Sequence, residues 1–259
     1  MGEEPTGVKP RSISALIDAE SIGLPLKLLY AALTLLVMFD GFDAQVIGFV
    51  APAIVDEWGA RPAALAPVFA AGLLGMAIGA LAVSPLADRF GRRPVLVVAG
   101  ASFGLTVLIT AFVQSIDQLL IIRFVTGFAL GGVFPNALSL TSEFTPSRHR
   151  TKAVMLMAGS FTFGAAVGGA CATVMIPLAG WRGLFLIGGL APLLIAAVLP
   201  LFVPESIKFL AMKRDDARIQ AVLRRIFPGS SQPEGAGFEF EADREVALPI
   251  VHLFRDGRA

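Results

Sequence analysis

Long apolar runs dominate the hydrophobic pattern of the chain, in place of the apolar–polar alternation of an amphipathic helix or strand. Six of these runs reach the length of about 20 residues that a helix needs to cross the hydrocarbon core of a bilayer. We therefore predict an all-α membrane protein whose six transmembrane helices are joined by short connections. The predicted spans are Leu28–Val50, Ala63–Leu86, Pro94–Val113, Ile116–Leu140, Ala153–Leu178 and Gly183–Val203.

The polar segments on either side of these spans predict three regions. Residues 1–27 lack the long apolar core of a signal peptide, so we expect a cytoplasmic N-terminal arm. Residues 28–203 form the predicted six-helix transmembrane bundle. Residues 204–259 are expected to be a cytoplasmic segment, because apolar positions recur at helical spacing over 203–227 and predict one or two amphipathic helices. A Gly/Ser/Pro-rich linker is predicted over 228–237.

Composition and charge fit this interpretation. Charged residues make up 16% of the chain and apolar residues 55%, whereas soluble domains carry about 25% charged residues. The chain has 21 Lys and Arg residues. All of them except Arg61, Arg182 and the intramembrane Arg123 lie on segments that share one side of the membrane with both termini. The positive-inside rule makes that side the cytoplasm. We expect the membrane to be a bacterial-type cytoplasmic (inner) membrane. A net charge of +1, with basic residues confined to these segments, argues against nucleic acid as a partner.

Patterns that would indicate catalysis are missing from the sequence. The single Cys171 and the two histidines, His149 and His252, give no metal-ligand spacing. A Ser/His/Asp set and a phosphate-binding glycine loop cannot be assembled either. We therefore expect no metal, no cofactor and no enzymatic activity.

Glycine and proline add detail within the spans. GxxxG pairs occur at Gly75–Gly79, Gly127–Gly131 and Gly164–Gly168. Small residues at this spacing favour close packing of membrane helices. Pro135 and Pro177 are predicted to bend the helices that contain them.

Two acidic residues, Asp40 and Asp43, interrupt the first predicted span. A charge at the centre of a bilayer costs roughly 2.5–3.5 kcal/mol on translocon scales, and the i, i+3 spacing places both aspartates on one helix face. One alternative is that the span is shifted, so that both side chains lie at the membrane interface. We favour a proton site, because a buried carboxylate beside a second acid can load a proton on one side and release it on the other. Gln45 on the same helix can add a polar contact.

Arg123 is a third ionisable residue within a span. In one interpretation its long side chain reaches outward to the interface. In the other, its guanidinium faces a cavity, where it holds a substrate carboxylate with two hydrogen bonds or pairs with an aspartate of the first span. We favour the cavity. Spans 1 and 4 would be the first helices of two three-helix repeats, which are natural partners across a central site.

The connection after the second span reads SPLADRFGRRP over residues 84–94. Membrane anchoring explains its arginines but leaves the acidic residue unexplained. The stretch resembles the signature loop of the major facilitator superfamily, G-x-L-A-D-R-x-G-R-R, with a serine in place of the first glycine. The resemblance implies a charge relay that stabilises one state of alternating access. By position the relay falls on Asp88, Arg89, Arg92 and Arg93, joined by Glu143 at the cytoplasmic end of span 4. Ser84 and Gly91 are the other positions of the expected gating loop.

Three further stretches resemble the aromatic acid:proton symporters of that superfamily. They are DGFD with GFVAPAI, RFVTGFALGGVFPNALSLTSEFTPSRHR, and GWRGLFLIGG with VPESIKFL, whose PES portion is shared with sugar porters. The resemblance implies proton coupling by Asp40 and Asp43, and contact between Arg123 and an aromatic carboxylate. Gln45 and Asn136 are expected as further substrate contacts. Members of this group have twelve spans, so we expect the N-terminal half of a twelve-helix fold, completed by a missing C-terminal six-helix half or by a second chain.

The expected function is proton-coupled secondary active transport of a benzoate- or hydroxybenzoate-like anion across the cytoplasmic membrane. The expected partners are a small organic anion, the proton and the lipid bilayer. Two alternatives remain open at this point. One is a carrier for a sugar or another organic solute, and the other is a truncated membrane protein that does not transport.

Overall fold

Helices make up almost all of the computed structural model, which describes residues 11–228 and 238–239. Five helical segments within these ranges are long and apolar enough to cross a membrane. Large apolar side chains such as Leu81 (79% exposed) cover their outer surface. The elements are β1 (Arg11–Ser12), α1 (Ile13–Ala19), α2 (Leu24–Trp58), a 3-10 turn (Pro62–Leu65), α3 (Ala66–Phe90), α4 (Arg92–Thr110), α5 (Ile116–Gly131), α6 (Val133–Phe144), α7 (Ser147–Phe202), α8 (Ile207–Met212), α9 (Asp216–Ile226) and β2 (Phe238–Glu239).

The long α7 contains two spans. A straight helix of 56 residues would extend about 84 Å, roughly twice the thickness of a bilayer with its headgroups. Gly180, with φ 68° and ψ 177°, interrupts it. The ring of Phe42 lies beside both Gly168 and Gly188, where an added methyl group would come within 3.3 Å and 2.8 Å of it. The chain therefore folds back at Gly180, and spans 5 and 6 lie on either side of this residue.

Span 4 consists of α5 and α6 together, which join at Gly132. Pro135 has no N–H with which to bond the carbonyl of Gly131, which weakens the helix at this point. The interruption at Gly132 lies three residues before Pro135, and the predicted bend itself stays a prediction. Pro177 lies inside α7, and the interruption follows three residues later, at Gly180. With α2, α3 and α4 as spans 1 to 3, the prediction of six spans is confirmed.

The ends of the first span differ from the prediction. α2 begins at Leu24 and ends at Trp58, where Gly59 in the left-handed conformation donates its N–H to the carbonyl of Val55. The prediction stopped at Val50, six residues before the first acidic residue that follows. The helix continues through Asp56 and Glu57, since backbone hydrogen bonding, rather than hydropathy, decides where a helix ends.

Packing among the spans follows the predicted two-repeat pattern. Span 1 packs on span 5 where a methyl group at Gly41 would overlap the carbonyl of Phe161. Span 2 packs on span 4 where a methyl group at Gly127 would overlap the carbonyl of Gly72. If spans 1–3 correspond to spans 4–6, these two contacts are equivalent. Span 3 packs on span 6 at Gly104. In the same correspondence spans 3 and 6 are each other's equivalents, so exchanging the two repeats leaves this contact unchanged.

All three GxxxG pairs lie in helix contacts. A methyl group at five of the six glycines would overlap main-chain atoms of another helix, and at Gly168 it would lie 3.3 Å from Phe42. Close backbone approach is how membrane helices associate when lipid offers no hydrophobic driving force. The predicted packing role of these glycines is therefore confirmed.

An ion-pair cluster lies at the end of the bundle where Gly59 caps α2. We call this the Gly59 end. Arg182 donates from Nη1 to Glu57 at 2.5 Å and 2.8 Å, and Trp181 donates from Nε1 to the same carboxylate at 2.7 Å. The guanidinium of Arg182 also lies 4.2 Å from the Trp181 ring. Span 1 is thereby joined to the turn between spans 5 and 6.

Two short helices, α8 and α9, follow the last span, in agreement with the predicted amphipathic pattern. Asp215 caps α9 by accepting from the N–H of Arg218 at 3.1 Å. The buried face of α9 consists of Ile219, Leu223 and Ile226. Of the predicted linker over 228–237, residues 229–237 lie outside the described residues, and the three-region division stays a prediction.

Candidate functional site

Asp40 and Asp43 lie near the middle of α2 with their side chains turned into the bundle. Their exposed fractions are 2% and 3%. Several turns of helix extend beyond them in both directions, since α2 runs from Leu24 to Trp58. The alternative of a shifted span with both acids at an interface does not fit this placement.

Arg123 on α5 meets Asp43 across the bundle. Its Nη1 donates to Oδ2 at 2.9 Å and to Oδ1 at 3.1 Å, and the two side chains are 5% and 4% exposed. The ring of Phe185 lies 4.9 Å from the guanidinium carbon and adds a cation–π contact from span 6. The side chain therefore points inward, which excludes the outward-reaching interpretation. Pairing with an aspartate was one of the two arrangements predicted for a cavity-facing arginine.

Three buried polar atoms of this cluster have no hydrogen-bond partner among the described residues. They are Nε and Nη2 of Arg123 and Oδ1 of Asp40. An unsatisfied buried polar group costs about 1–3 kcal/mol, and more if it is charged. Nε and Nη2 form one edge of the guanidinium, which matches the two oxygens of a carboxylate. The two aspartates are also unequal, because Asp43 is bound by Arg123 whereas Asp40 retains an oxygen without a partner.

Two neighbouring cavities adjoin these groups. The first, of about 230 Å³, is lined by Arg123, Asp43 and Gln45 together with apolar residues of α2, α3 and α5. The second, of about 320 Å³, is lined by Asp40 and otherwise apolar groups, including the rings of Phe134 and Phe161. Both cavities are lined by Met76 and Leu130. The two cavities therefore bring the Arg123 side chain and the Asp40 side chain to either side of the apolar residues that both cavities share.

The predicted substrate contacts are only partly brought together. Gln45 is exposed and lines the first cavity beside Arg123. Asn136 is buried, lines neither of the two cavities, and donates from Nδ2 to the carbonyl of Gly132 at 2.6 Å. That carbonyl lies at the break between α5 and α6, so the amide satisfies local backbone. The substrate role of Asn136 stays a prediction that this placement does not support.

The predicted gating residues lie at the other end of the bundle, which we call the Gly91 end. Arg92 donates from Nη1 to Glu143 and to Ser139, and its Nη2 lies 3.8 Å from Oδ1 of Asp88. Gly91, with φ 103°, makes the turn between α3 and α4. The remaining members, Ser84 and Arg89 near the end of α3 and Arg93 in the first turn of α4, adjoin this turn.

Glu205 is a central member of this network that sequence reasoning missed. Its Oε1 accepts the backbone N–H groups of Arg92 (2.8 Å), Arg93 (3.1 Å) and Ser206 (2.9 Å). Ser206 also donates from Oγ to Glu143 at 2.7 Å. The segment after span 6 is thereby bonded to the starts of α4 and α8 and the end of α6. The signal in the sequence was the PES tripeptide, an acid placed directly after an apolar span.

Comparisons with known proteins agree with the fold and the motifs. A family model for the Major Facilitator Superfamily matches residues 33–254. The chain is 47% identical over 218 residues to the 4-hydroxybenzoate transporter PcaK of Pseudomonas putida, covering 84% of this chain and 48% of that protein. It is 39% identical over 249 residues to the gallate transporter of Pseudomonas putida, with coverages of 95% and 55%. The chain thus spans about half the length of the curated relatives it matches.

A solved structure confirms the architecture. The xylose transporter XylE from E. coli, in a partially occluded inward-open conformation, matches with a TM-score of 0.68 at 21% identity, covering 79% of this chain and 54% of that one. At this identity the likeness concerns the fold alone. The matched family and the named relatives are integral membrane transporters, not enzymes. Together with the six apolar spans and the matching loop signature, these findings establish that the chain belongs to the major facilitator superfamily.

Proposed function

We propose that this chain is the N-terminal half of a proton-coupled symporter that carries a benzoate- or hydroxybenzoate-like anion across the cytoplasmic membrane. The observation that carries the proposal is the buried Nε–Nη2 edge of Arg123, which has no partner among the described residues and belongs to a cavity-lining side chain. The names of the 4-hydroxybenzoate and gallate transporters support the same class of substrate.

The substrate carboxylate would bind to this edge with two parallel hydrogen bonds. Nη1 remains on Asp43 while it does so, because the two sides of a guanidinium donate in different directions. The aromatic ring would then lie against Met76 and Leu130, the apolar residues shared by the two cavities. A monocyclic acid matches these cavities in polarity, since one end needs an anion and the remainder needs an apolar surface.

Proton coupling would use both aspartates in different ways. A substrate anion on Arg123 competes with Asp43 for the same positive charge and so weakens the ion pair that joins the two side chains. Asp40 has an oxygen without a partner and can take up a proton without first breaking an ion pair. Loading both anion and proton leaves the site with less net charge, which favours its burial when the carrier closes.

The complete carrier requires a second six-helix unit. In the proposed arrangement both termini of this chain are cytoplasmic, residues 1–27 form the arm, and residues 204–259 lead toward the second half. The network of Arg92, Glu143 and Glu205 at the Gly91 end would then lie on the cytoplasmic side. There it would stabilise one state of alternating access, as the loop signature implies.

Uptake by a chimera tests this proposal. The chain is joined to the remaining half of the Pseudomonas putida 4-hydroxybenzoate transporter and expressed in cells lacking uptake of aromatic acids. We expect uptake of labelled 4-hydroxybenzoate that increases with an inward proton gradient and is inhibited by benzoate but not by xylose. In the chimera, Asp40→Asn should abolish the dependence on the gradient. Inhibition by hexoses or pentoses alone, or full proton-driven uptake by the Asp40→Asn variant, would contradict the assignment.

A further inference from the structure

A basic pocket lies at the Gly91 end, immediately after the last span. Its volume is about 490 Å³, and it is formed by the ends of α3 and α7, the start of α4, and helices α8 and α9. Four cations and two acids contribute to its wall: Arg93, Lys213, Arg218, Arg225, Glu205 and Asp215. The substrate and proton site described above uses none of these groups.

Both acids of the pocket already accept hydrogen bonds from other groups of this chain. Glu205 accepts three backbone N–H groups through Oε1. Asp215 accepts the N–H of Arg218 at the start of α9 and lies 3.3 Å from Nε of the same residue. Backbone N–H donors orient the Glu205 carboxylate without cancelling its charge, so the wall carries a net charge of about +2, supplied by Arg93, Lys213 and Arg225.

Arg93 and Arg225 converge on the end of span 6. Nη2 of Arg93 donates to the carbonyl of Pro200 at 2.9 Å, and Nη2 of Arg225 donates to that same oxygen at 3.4 Å and to the carbonyl of Leu201. Two guanidinium groups are thus held beside one carbonyl oxygen in the last turn of the helix. The helix terminus supplies only about half an elementary negative charge, so the pair of cations is not neutralised there.

The same carbonyls locate the pocket at the membrane surface, because they belong to the last turn of a transmembrane helix. Apolar side chains beside the cations are exposed, with Phe90 at 58% and Leu201 at 67%. Phe90 lines the pocket, and Leu201 lies in the turn that Arg225 contacts. A ligand that combines an anionic group with hydrocarbon chains satisfies both features, whereas a soluble anion uses only the cations.

We propose that this pocket binds the phosphate headgroup of an anionic phospholipid, with Arg93, Lys213 and Arg225 as the phosphate contacts and Phe90 and Leu201 beside the acyl chains. Clusters of Lys and Arg directly after a transmembrane helix, or on an amphipathic helix, are typical of anionic-lipid binding. Here both circumstances coincide, since Lys213 and Arg225 follow span 6 and Arg225 lies on α9, while Arg93 joins them from the start of α4. The pocket lies wholly within this chain, so binding does not require the second half of the carrier.

Native mass spectrometry of the detergent-purified chain tests the proposal with dioleoyl phosphatidylglycerol and dioleoyl phosphatidylcholine as probes. We expect phosphatidylglycerol to be retained about tenfold more strongly than phosphatidylcholine. Lys213→Gln/Arg225→Gln should reduce its retention by about tenfold or more, because each surface cation contributes a substantial part of the attraction. Arg150→Gln/Arg214→Gln removes the same charge from exposed residues outside the pocket and should change retention by less than about twofold.

A second variant separates headgroup binding from docking of α9. Lys213→Gln/Arg218→Gln leaves the bonds of Arg93 and Arg225 to span 6 in place, and it should still weaken phosphatidylglycerol retention. Equal retention of the two lipids, or unchanged retention in both pocket variants, would overturn the proposal. Binding of sn-glycerol 3-phosphate as tightly as phosphatidylglycerol would also overturn it, since the pocket would then be a site for a soluble phosphate.

Discussion

Arg123 and Asp43 form a buried ion pair that joins span 4 to span 1, with a single guanidinium nitrogen 2.9 Å and 3.1 Å from the two carboxylate oxygens. The pair uses only Nη1, so Arg123 is anchored and still presents its Nε–Nη2 edge. An isolated buried arginine would cost far more to hold in a membrane than a paired one. The ion pair with Asp43 therefore explains how a cation can be buried in the bundle.

Replacing Arg123 by lysine tests the role of that edge. Lysine retains the positive charge and can still pair with Asp43, but it lacks the planar fork that binds a carboxylate bidentately. In the uptake chimera, we expect Arg123→Lys to raise the KM for 4-hydroxybenzoate about 10- to 100-fold, which corresponds to losing one charge-assisted hydrogen bond. The exposed Arg150→Lys serves as the control and should leave KM unchanged. A KM equal to that of the parent in Arg123→Lys would show that the substrate does not use the edge.

Replacement by asparagine should lower the thermal stability of the chain at Asp43 but not at Asp40. Asp43→Asn removes the partner of Arg123 and leaves a buried charge uncompensated, which destabilises a protein by about 3–5 kcal/mol. Asp40→Asn removes an acid whose Oδ1 has no partner, so the purified chain should unfold at the same temperature as the parent or higher. Thermal unfolding in detergent, followed by tryptophan fluorescence, measures both. Equal destabilisation by the two substitutions would mean that the ion pair does not persist in the folded chain.

Much of the fold could be predicted because a membrane leaves the backbone few choices. Each span must satisfy its own hydrogen bonds, so a long apolar run corresponds to a helix. Helix ends were harder to predict, since α2 continues through the polar Asp56 and Glu57 until Gly59 supplies a left-handed cap. The turn between spans 5 and 6 likewise depends on the backbone conformation of Gly180, which a hydropathy pattern does not report.

The site was predictable as a set of residue types but not as a set of contacts. Ionisable residues inside apolar runs identified Asp40, Asp43 and Arg123, because such groups are rare in membrane spans. Spacing placed both aspartates on one helix face, but it did not indicate which of them Arg123 would bind. Glu205 was missed although the PES tripeptide marked it as an acid after an apolar span, because its bond to Arg92 joins residues 113 positions apart and the tripeptide does not indicate the partner.

Helix contact at Gly41 gives a prediction with a matched control. A methyl group at Gly41 would overlap the carbonyl of Phe161, whereas one at Gly159, on the helix that includes Phe161, has nothing within 4 Å. Gly41→Ala forces spans 1 and 5 apart and should cost about 1–3 kcal/mol or more. Gly159→Ala should be neutral or stabilising, since alanine is the better helix former by about 1 kcal/mol. Melting temperatures of the purified variants decide the matter, and equal values would contradict the close packing.

Asp18 on α1 provides a pH-dependent prediction outside the membrane. Its carboxylate accepts from the Ser147 hydroxyl at 2.7 Å and from the Ser147 backbone N–H at 2.6 Å, and so caps the start of α7. These hydrogen bonds, that of the hydroxyl first, lower the pKa of Asp18 below its ordinary value. Its stabilising effect is therefore complete above the unfolded-state pKa of about 3.9 and is lost as the pH falls through the lower folded-state pKa.

Hydrogen exchange at α1, corrected for the intrinsic pH dependence of exchange, measures this contact. At pH 7 we expect Asp18→Asn to exchange faster than the parent over Ile13–Ala19, because asparagine is a neutral and weaker acceptor for the cap. The difference should shrink as the pH falls below about 4, the unfolded-state pKa, and should vanish below the lower folded-state pKa of Asp18. Glu20→Gln, which removes the same charge two residues away, should leave exchange over α1 unchanged at pH 7. Equal protection of the parent and Asp18→Asn at pH 7 would show that the carboxylate does not hold the arm against α7.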